Sequence, residues 1–363
     1  MTTITTADGL RAIAEDMAGD YELGCDIDLS GVSWIPLGTS SSQSTSSPTL
    51  FTGTLNGNGH AIKNLTINRD TTDNYNFVGL FGRLGACTIQ NLVIKDAIVT
   101  VSGRNPCVGI LAGHVYDAAA VVSNVSTKGD ITVNHKYAST EYAYRGVGGM
   151  VGSIHSYSDY STFTDCISNV SIKISGCDRT CYVSGFMGYG YRCRLTRCYA
   201  FGDITVTNTV DTYLRVSGMQ AYCYSTTHTN CACAVNIIGA SSETVSECCK
   251  YLTSTSSFTN NSSRRYWQGS TISWESYSSD SDVSFVESDL STLIGEDNLS
   301  KYNMTDLDFS NGKYLKLAID VEESETSYDI TIKGVTYNGV KHVIYNGSNV
   351  SKLVLNGTTY EFE

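Results

Sequence analysis

Proline is almost missing from this chain, with 3 among 363 residues, and charged residues make up only 17%. Basic residues are the scarcer sign: 24 Lys+Arg stand against 36 Asp+Glu, for a formal net charge of −12. That deficit excludes a generally basic nucleic-acid binder, because phosphate contacts need Lys and Arg and an acidic surface repels them. No run of about 18 apolar residues occurs, which excludes a membrane-spanning helix. The opening stretch, MTTITTADGLRAIAEDMAGDY, has no basic segment followed by an apolar one, so no export signal is visible in it. Motifs that carry chemistry are missing as well. GxSxG, HExxH, a phosphate loop and a DxDxDG loop are all absent, which leaves nucleophilic, zinc-peptidase, nucleotide and calcium-loop chemistry without support.

What is present is Gly (33), Tyr (24) and Cys (13). Few charges, many Gly and β-branched residues and scarce Pro point to an all-β protein, long enough to bury a large core as one or two domains. The odd Cys count, without an export signal, argues for mostly reduced thiols, and a secreted disulfide scaffold would be shorter and denser in Cys. Zinc is the sharper alternative, since Cys177-x3-Cys181 and Cys193-x4-Cys198 have plausible loop spacings. No clear CxxC pair accompanies them, and Cys231-x-Cys233 suits strand alternation better than chelation. Neither a metal nor a cofactor is therefore expected.

Internal repetition fixes the architecture. Val78-Gly-Leu-Phe-Gly82 recurs as Val108-Gly-Ile-Leu-Ala-Gly113, Val147-Gly-Gly-Met-Val-Gly152, Val183-Ser-Gly-Phe-Met-Gly188 and the eroded Val216-Ser-Gly-Met-Gln-Ala221, at intervals of roughly 35 residues. Each copy is followed by a second strand-like run, such as Ile89–Ile94 or Val122–Ser126, and most by a third, such as Asp130–Val133 or Asp203–Val206. Three short strands per unit describe one coil of a β-solenoid. A unit of this size cannot bury its apolar face alone, so the units must stack, each strand pairing in parallel with its equivalents above and below.

Aligning the second strands puts Asn91, Asn124, Cys166, Cys198, Cys231 and Cys248 at one equivalent position. The expected result is an interior ladder that begins as hydrogen-bonded Asn amides and continues as Cys packed as a small hydrophobe. At the N-terminus Leu10, Ile13, Ala14 and Met17 share one helical face, with Thr6 or Asp8 as a cap. This short amphipathic helix would cover the first coil's open edge.

Residues with catalytic potential are few. Glycoside hydrolysis needs two carboxyl groups about 5–9.5 Å apart. Asp130 and Asp203 precede the third strand in two units, but both sit in Gly-Asp-Ile-Thr-Val, a turn entering a strand, and the unit between them has Asn169-Val-Ser. Asp26 and Asp28 read as structural. No catalytic residue is assigned.

The stretches DIDLSG…W-IPLG and FTGTLNGNGHAIKNLTI, the opening helix, and the VGLFG and VGGMVG copies together resemble the GLUG-repeat proteins over roughly residues 4–312. That family includes adhesin-like, surface and phage proteins. The resemblance implies a right-handed parallel β-helix and no common enzyme activity, and fold alone supplies none. Cys in ladder positions is this chain's departure from the pattern.

Four segments follow: an N-terminal cap over 1–20, the parallel β-helix over 21–253, an irregular last coil with closing helix and strand over 254–312, and a small antiparallel module over 313–363. In the last, Asn-Gly pairs at 338–339, 346–347 and 356–357 stand between β-prone runs, a hairpin signature. This tail resembles small β modules of virion proteins from phages of Gram-positive bacteria. Tyr266, Trp267 and Trp274 either stack on sugars or seal the solenoid end. The functional expectation is a non-enzymatic phage virion component, a spike, fibre or decoration protein. Its expected partners are other virion proteins, and a host glycan or receptor or a second copy of the chain are further candidates. A bacterial cell-surface adhesin and a polysaccharide-degrading spike are the alternatives.

Overall fold

The computed structural model describes residues 1–38, 50–71, 76–103, 106–116, 119–135, 146–157, 159–176, 181–207, 214–229 and 231–239, together with the backbone of separate strands between 245 and 361. It is a parallel β-solenoid of about five turns with one short helix near the N-terminus. Two short faces stack six strands each. One runs from Asn76–Val78 through Pro106–Val108, Gly146–Gly148, Cys181–Ser184 and Leu214–Ser217 to Val245–Ser246. The other runs from Phe81–Leu84 through Ala112–Tyr116, Val151–His155, Met187–Tyr191 and Gln220–Tyr224 to Cys249–Leu252. A longer sheet closes each coil, with Thr88–Gly103 and Val121–His135 as its most continuous strands.

The register follows the repeat. Val78, Val108, Val147, Val183, Val216 and Val245 lie above one another. The motif's last glycine has a steric reason. A Cβ at Gly113 would stand 2.3 Å from the Val78 backbone nitrogen, at Gly152 2.4 Å from that of Val108, and at Gly188 2.5 Å from that of Val147. The two short faces close on each other only without those side chains; Ala221 takes the position in the eroded copy. One apolar core runs from Ile4 to Ile237, so each coil is buried by its neighbours, as stacked repeats require.

The cap differs in detail from the helical expectation. Thr6 caps it, its Oγ1 accepting from the Gly9 backbone N–H at 3.1 Å. The α-helix ends at Arg11 and tightens into a 3-10 turn over Ala12–Glu15. Three residues per turn align Leu10 with Ile13, both buried, and turn Ala14 out to solvent, while Met17 is half-buried. Ahead of the helix, Thr2–Ile4 adds a parallel strand beside Tyr21–Leu23 that hydrophobic periodicity did not reveal.

Parallel pairing continues past residue 253, through Ser257–Thr259 and Asn261–Ser263 to Val283–Phe285. The helix expected to close the solenoid falls outside the described residues. From Tyr302 onward the pairing is antiparallel. Strands flanking 347–348 and 356–357 pair as hairpins. Asn338-Gly339, expected in a turn, lies inside the strand Val335–Val340 instead. The pairing register shifts opposite it, between Tyr328 and Ile330; Gly within a strand commonly marks such an irregularity.

Candidate functional site

The expected ladder resolves into two adjacent rows. Ser123 pairs with Gln90 and Val125 with Leu92, which sets Asn124 beside Asn91. Ser123 also pairs with Thr164 and Ser126 with Ile167, which sets Asn124 beside Asp165, and Val125 beside Cys166. The polar row is therefore Asn91, Asn124, Asp165, Arg197, and the thiol row is Leu92, Val125, Cys166, Cys198, Cys231. Placing Asn91 and Asn124 in one row with the cysteines is a one-residue misalignment, and a one-residue shift moves a side chain to the other face. Cys248 lies outside the described residues, and its neighbour Cys249 pairs with Gln220 in a different sheet.

The polar row turns the chain. Its members have φ between 52° and 55°, the left-handed region that Asn and Asp tolerate best. Asn124 Nδ2 donates to Asn91 Oδ1 at 2.9 Å, and Asn91 Nδ2 to Asn56 Oδ1 at 3.1 Å. One coil further, Arg197 donates to both carboxylate oxygens of Asp165, at 2.6 and 2.8 Å. A salt bridge thus takes over from the amide ladder and holds Arg197 in a conformation it would otherwise avoid.

The thiols of the other row point inward. Cys166 contacts the carbonyls of Thr164 and Val122, and Cys198 those of Phe163 and Thr196. None of the ten described cysteines is disulfide-bonded, and nine of them are buried. Burial pushes Cys198 well above the ordinary thiol range, Cys87 to about 12 and Cys193 to about 11. Held protonated and sheltered, Cys87, Cys193 and Cys198 are neither nucleophiles nor metal ligands. Among the described residues no three His, Cys, Asp or Glu side chains gather where they could hold a metal ion. A thiol reagent applied to the native protein is expected to modify Cys25 first among these ten, because it alone is half-buried; all ten should react after unfolding without reductant. Protected disulfides in the unfolded chain would contradict this arrangement.

The acidic candidates Asp130 and Asp203 share one row but not adjacent coils. Asp130 pairs with Ser171, and Ser171 stands opposite Asp203, so the two carboxylates are two coils apart on an exposed face, about 9.6 Å at one strand spacing per coil. Asp26 and Asp28 tie the first coil to the next. Asp26 accepts from Ala61 N–H at 2.9 Å and pairs with Lys63 Nζ at 2.9 Å. Asp28 accepts from Asn64 and from both the backbone and hydroxyl of Ser30, which pull its carboxyl down to about 2. Tyr266 and Trp274 lie outside the described residues; for Trp267 the backbone pairs with Ile237.

Three features escaped the sequence reading. The first is an aromatic seam. Tyr189 stacks on Tyr222 (centroids 4.3 Å, planes 4° apart) and Tyr191 on Tyr224 (4.4 Å, 3°), with His155 5.0 Å from Tyr191 and Tyr182 5.5 Å from Tyr189. The Tyr-x-Tyr spacing in consecutive repeats was its visible signal. In each stacked pair one face of either ring is covered by its partner. Beside it Arg194 lies 4.2 Å from the Tyr160 ring centroid, and Tyr160 Oη meets Ser225 Oγ at 2.7 Å.

The second is a polar network inside the core. Gln220 takes the row position held by Met187 one coil earlier, and His228 that held by Leu195. Their side chains meet, His228 Nε2 to Gln220 Oε1 at 2.7 Å, while Gln220 Nε2 donates to Tyr222 O at 2.9 Å. Burial pushes His228 down to about 3. The erosion of the repeat at Gln220 was readable, but its partner was not, since nothing local ties residue 228 to residue 220. The third is Arg83, fully buried between Phe77 and Tyr116.

No family model matches the chain. Two relatives share part of it. Halomucin of Haloquadratum walsbyi is 36% identical over 151 residues, which is 40% of this chain and 2% of that protein. A candidate Gly-rich membrane protein of Evansella cellulosilytica is 36% identical over 110 residues, 30% of this chain and 11% of that protein. The chain therefore spans a small fraction of the relatives it matches. Among solved structures, a candidate immunoglobulin A1 protease of Bacteroides ovatus superposes with a TM-score of 0.60 over 87% of this chain and 92% of its own, at 21% identity. That likeness is one of fold. Among the described residues no helix is long and apolar enough to cross a membrane.

Proposed function

We propose that the chain is a non-catalytic β-solenoid of a surface-displayed protein, built to hold its outer faces and loops in a fixed array for contact. The observation that carries this reading is the 36% identity of parts of the chain to small parts of two much larger proteins, one named a membrane protein. Such a coil stack suits display because its strands are paired on both sides, while loops between coils vary without disturbing the core. Nine of the ten described thiols are buried, which keeps them from reacting at the surface.

Within this reading, membership of the GLUG-repeat proteins and a place in a phage particle are finer proposals. The antiparallel hairpins over 328–361 favour the second as an attachment or oligomer contact. Tyr266, Trp267 and Trp274 are the side chains to test for glycan contact. An antibody to the purified chain distinguishes the settings. Labelling of intact, unpermeabilised cells that is lost on brief protease treatment is the expected result. If intact cells stay unlabelled and phage particles are decorated, the cell-surface setting fails and the virion setting stands.

A further inference from the structure

Arg83 is the most isolated charge in the described structure. Its side chain is fully buried, and none of Nε, Nη1 and Nη2 has a hydrogen-bond partner among the described residues. Phe77 and Tyr116 cover the guanidinium at 5.1 and 4.7 Å from their ring centroids. Those rings satisfy the charge over its faces, but the five N–H donors lie in its plane and gain nothing from them. An ionised group removed from water without partners costs several kcal/mol or more, and arginine does not escape by losing its proton.

We propose that the surroundings of Arg83 are a binding site for a small monovalent inorganic anion of halide size. His114 is Arg83's neighbour in the next coil and stacks on Phe77 at 5.0 Å; Ser153 follows one coil on, its hydroxyl 3.4 Å from Cys107 Sγ. Arg83, His114 and Ser153 are all fully buried, so an organic anion could not enter without parting the coils. Gly113 and Gly152 press the two short faces together at this level, which seals the site from the core side. A single fixed positive charge is neutralised by a single negative one. His114 stays neutral beside it, because burial and the Arg83 charge disfavour a second proton. A spherical anion also makes no demand on the direction of approach.

Thermal unfolding of the full chain tests this in sodium bromide or chloride against sodium gluconate at equal ionic strength. A ligand bound only by the folded state raises the midpoint with its concentration. The expected rise is about 5 °C across a hundredfold increase in halide, and Arg83→Met should abolish it. If the native chain unfolds identically in halide and gluconate, or if Arg83→Met keeps the dependence, the proposal is wrong. Should that variant not fold, anomalous diffraction from native crystals grown in bromide decides. A bromide peak within hydrogen-bonding reach of the guanidinium supports the site, and peaks only elsewhere overturn it.

Discussion

Gly57→Ala is expected to unfold the solenoid at far lower urea than the native chain tolerates, with a loss above about 4 kcal/mol. A Cβ at residue 57 would stand 2.2 Å from the Asn91 carbonyl oxygen, 2.6 Å from Leu92 Cα and 2.8 Å from the Asn91 carbonyl carbon. All three are backbone atoms of the next coil, so no rotamer change relieves the clash. The coils would have to separate, breaking the contacts Gly57 N–H to Gln90 O (2.8 Å) and Gly59 N–H to Asn91 O (3.0 Å). Gly31 is the control. It has φ +73°, and a Cβ there would meet nothing within 4 Å. Gly31→Ala should cost only about 1–2 kcal/mol, the cost of an L-residue in the left-handed region. Equal urea midpoints for the two variants would refute the close-approach account.

The second large effect is non-additive. Gln220→Met or His228→Leu alone removes half of a buried hydrogen bond and leaves the other half in the core, at a cost of about 1–3 kcal/mol. Together the two substitutions restore the residues that occupy these rows one coil earlier, Met187 and Leu195, and the double variant should match or exceed native stability. Urea unfolding of all four proteins gives the coupling directly; purely additive losses would show that the pair does not act as a unit. The same residues set an acid response. With His228 lowered to about 3 in the fold and near 6.5 when unfolded, the unfolded chain binds the extra proton first. This contribution is complete above about pH 6.5 and is lost as pH falls towards 3. The double variant should lose less stability than the native chain across that window, while His114, also held neutral by burial, keeps part of the slope.

Much of the architecture was legible because stacked coils write their geometry repeatedly. Val at 78, 108, 147, 183 and 216 and Gly at 82, 113, 152 and 188 recur in the sequence as they recur in space. The corner at Asn91 was legible only in part. The left-handed turn there is met by Asn, Asn, Asp and then Arg, so residue type stops marking the position after two coils. An alignment by residue type then drifted one place, onto the conspicuous cysteines.

By itself the sequence determined the coil, its parallel stacking, the capped first edge and the lack of any motif for catalysis. Each of those follows from periodicity and composition, which need no knowledge of distant neighbours. Tertiary structure alone decided which of two adjacent residues faces inward, that Gln220 finds His228, that the tyrosines cover one another's faces, and that Arg83 is buried without a hydrogen-bond partner among the described residues. These depend on contacts between residues one or more coils apart. Loops of unequal length intervene, so sequence separation no longer measures distance in space.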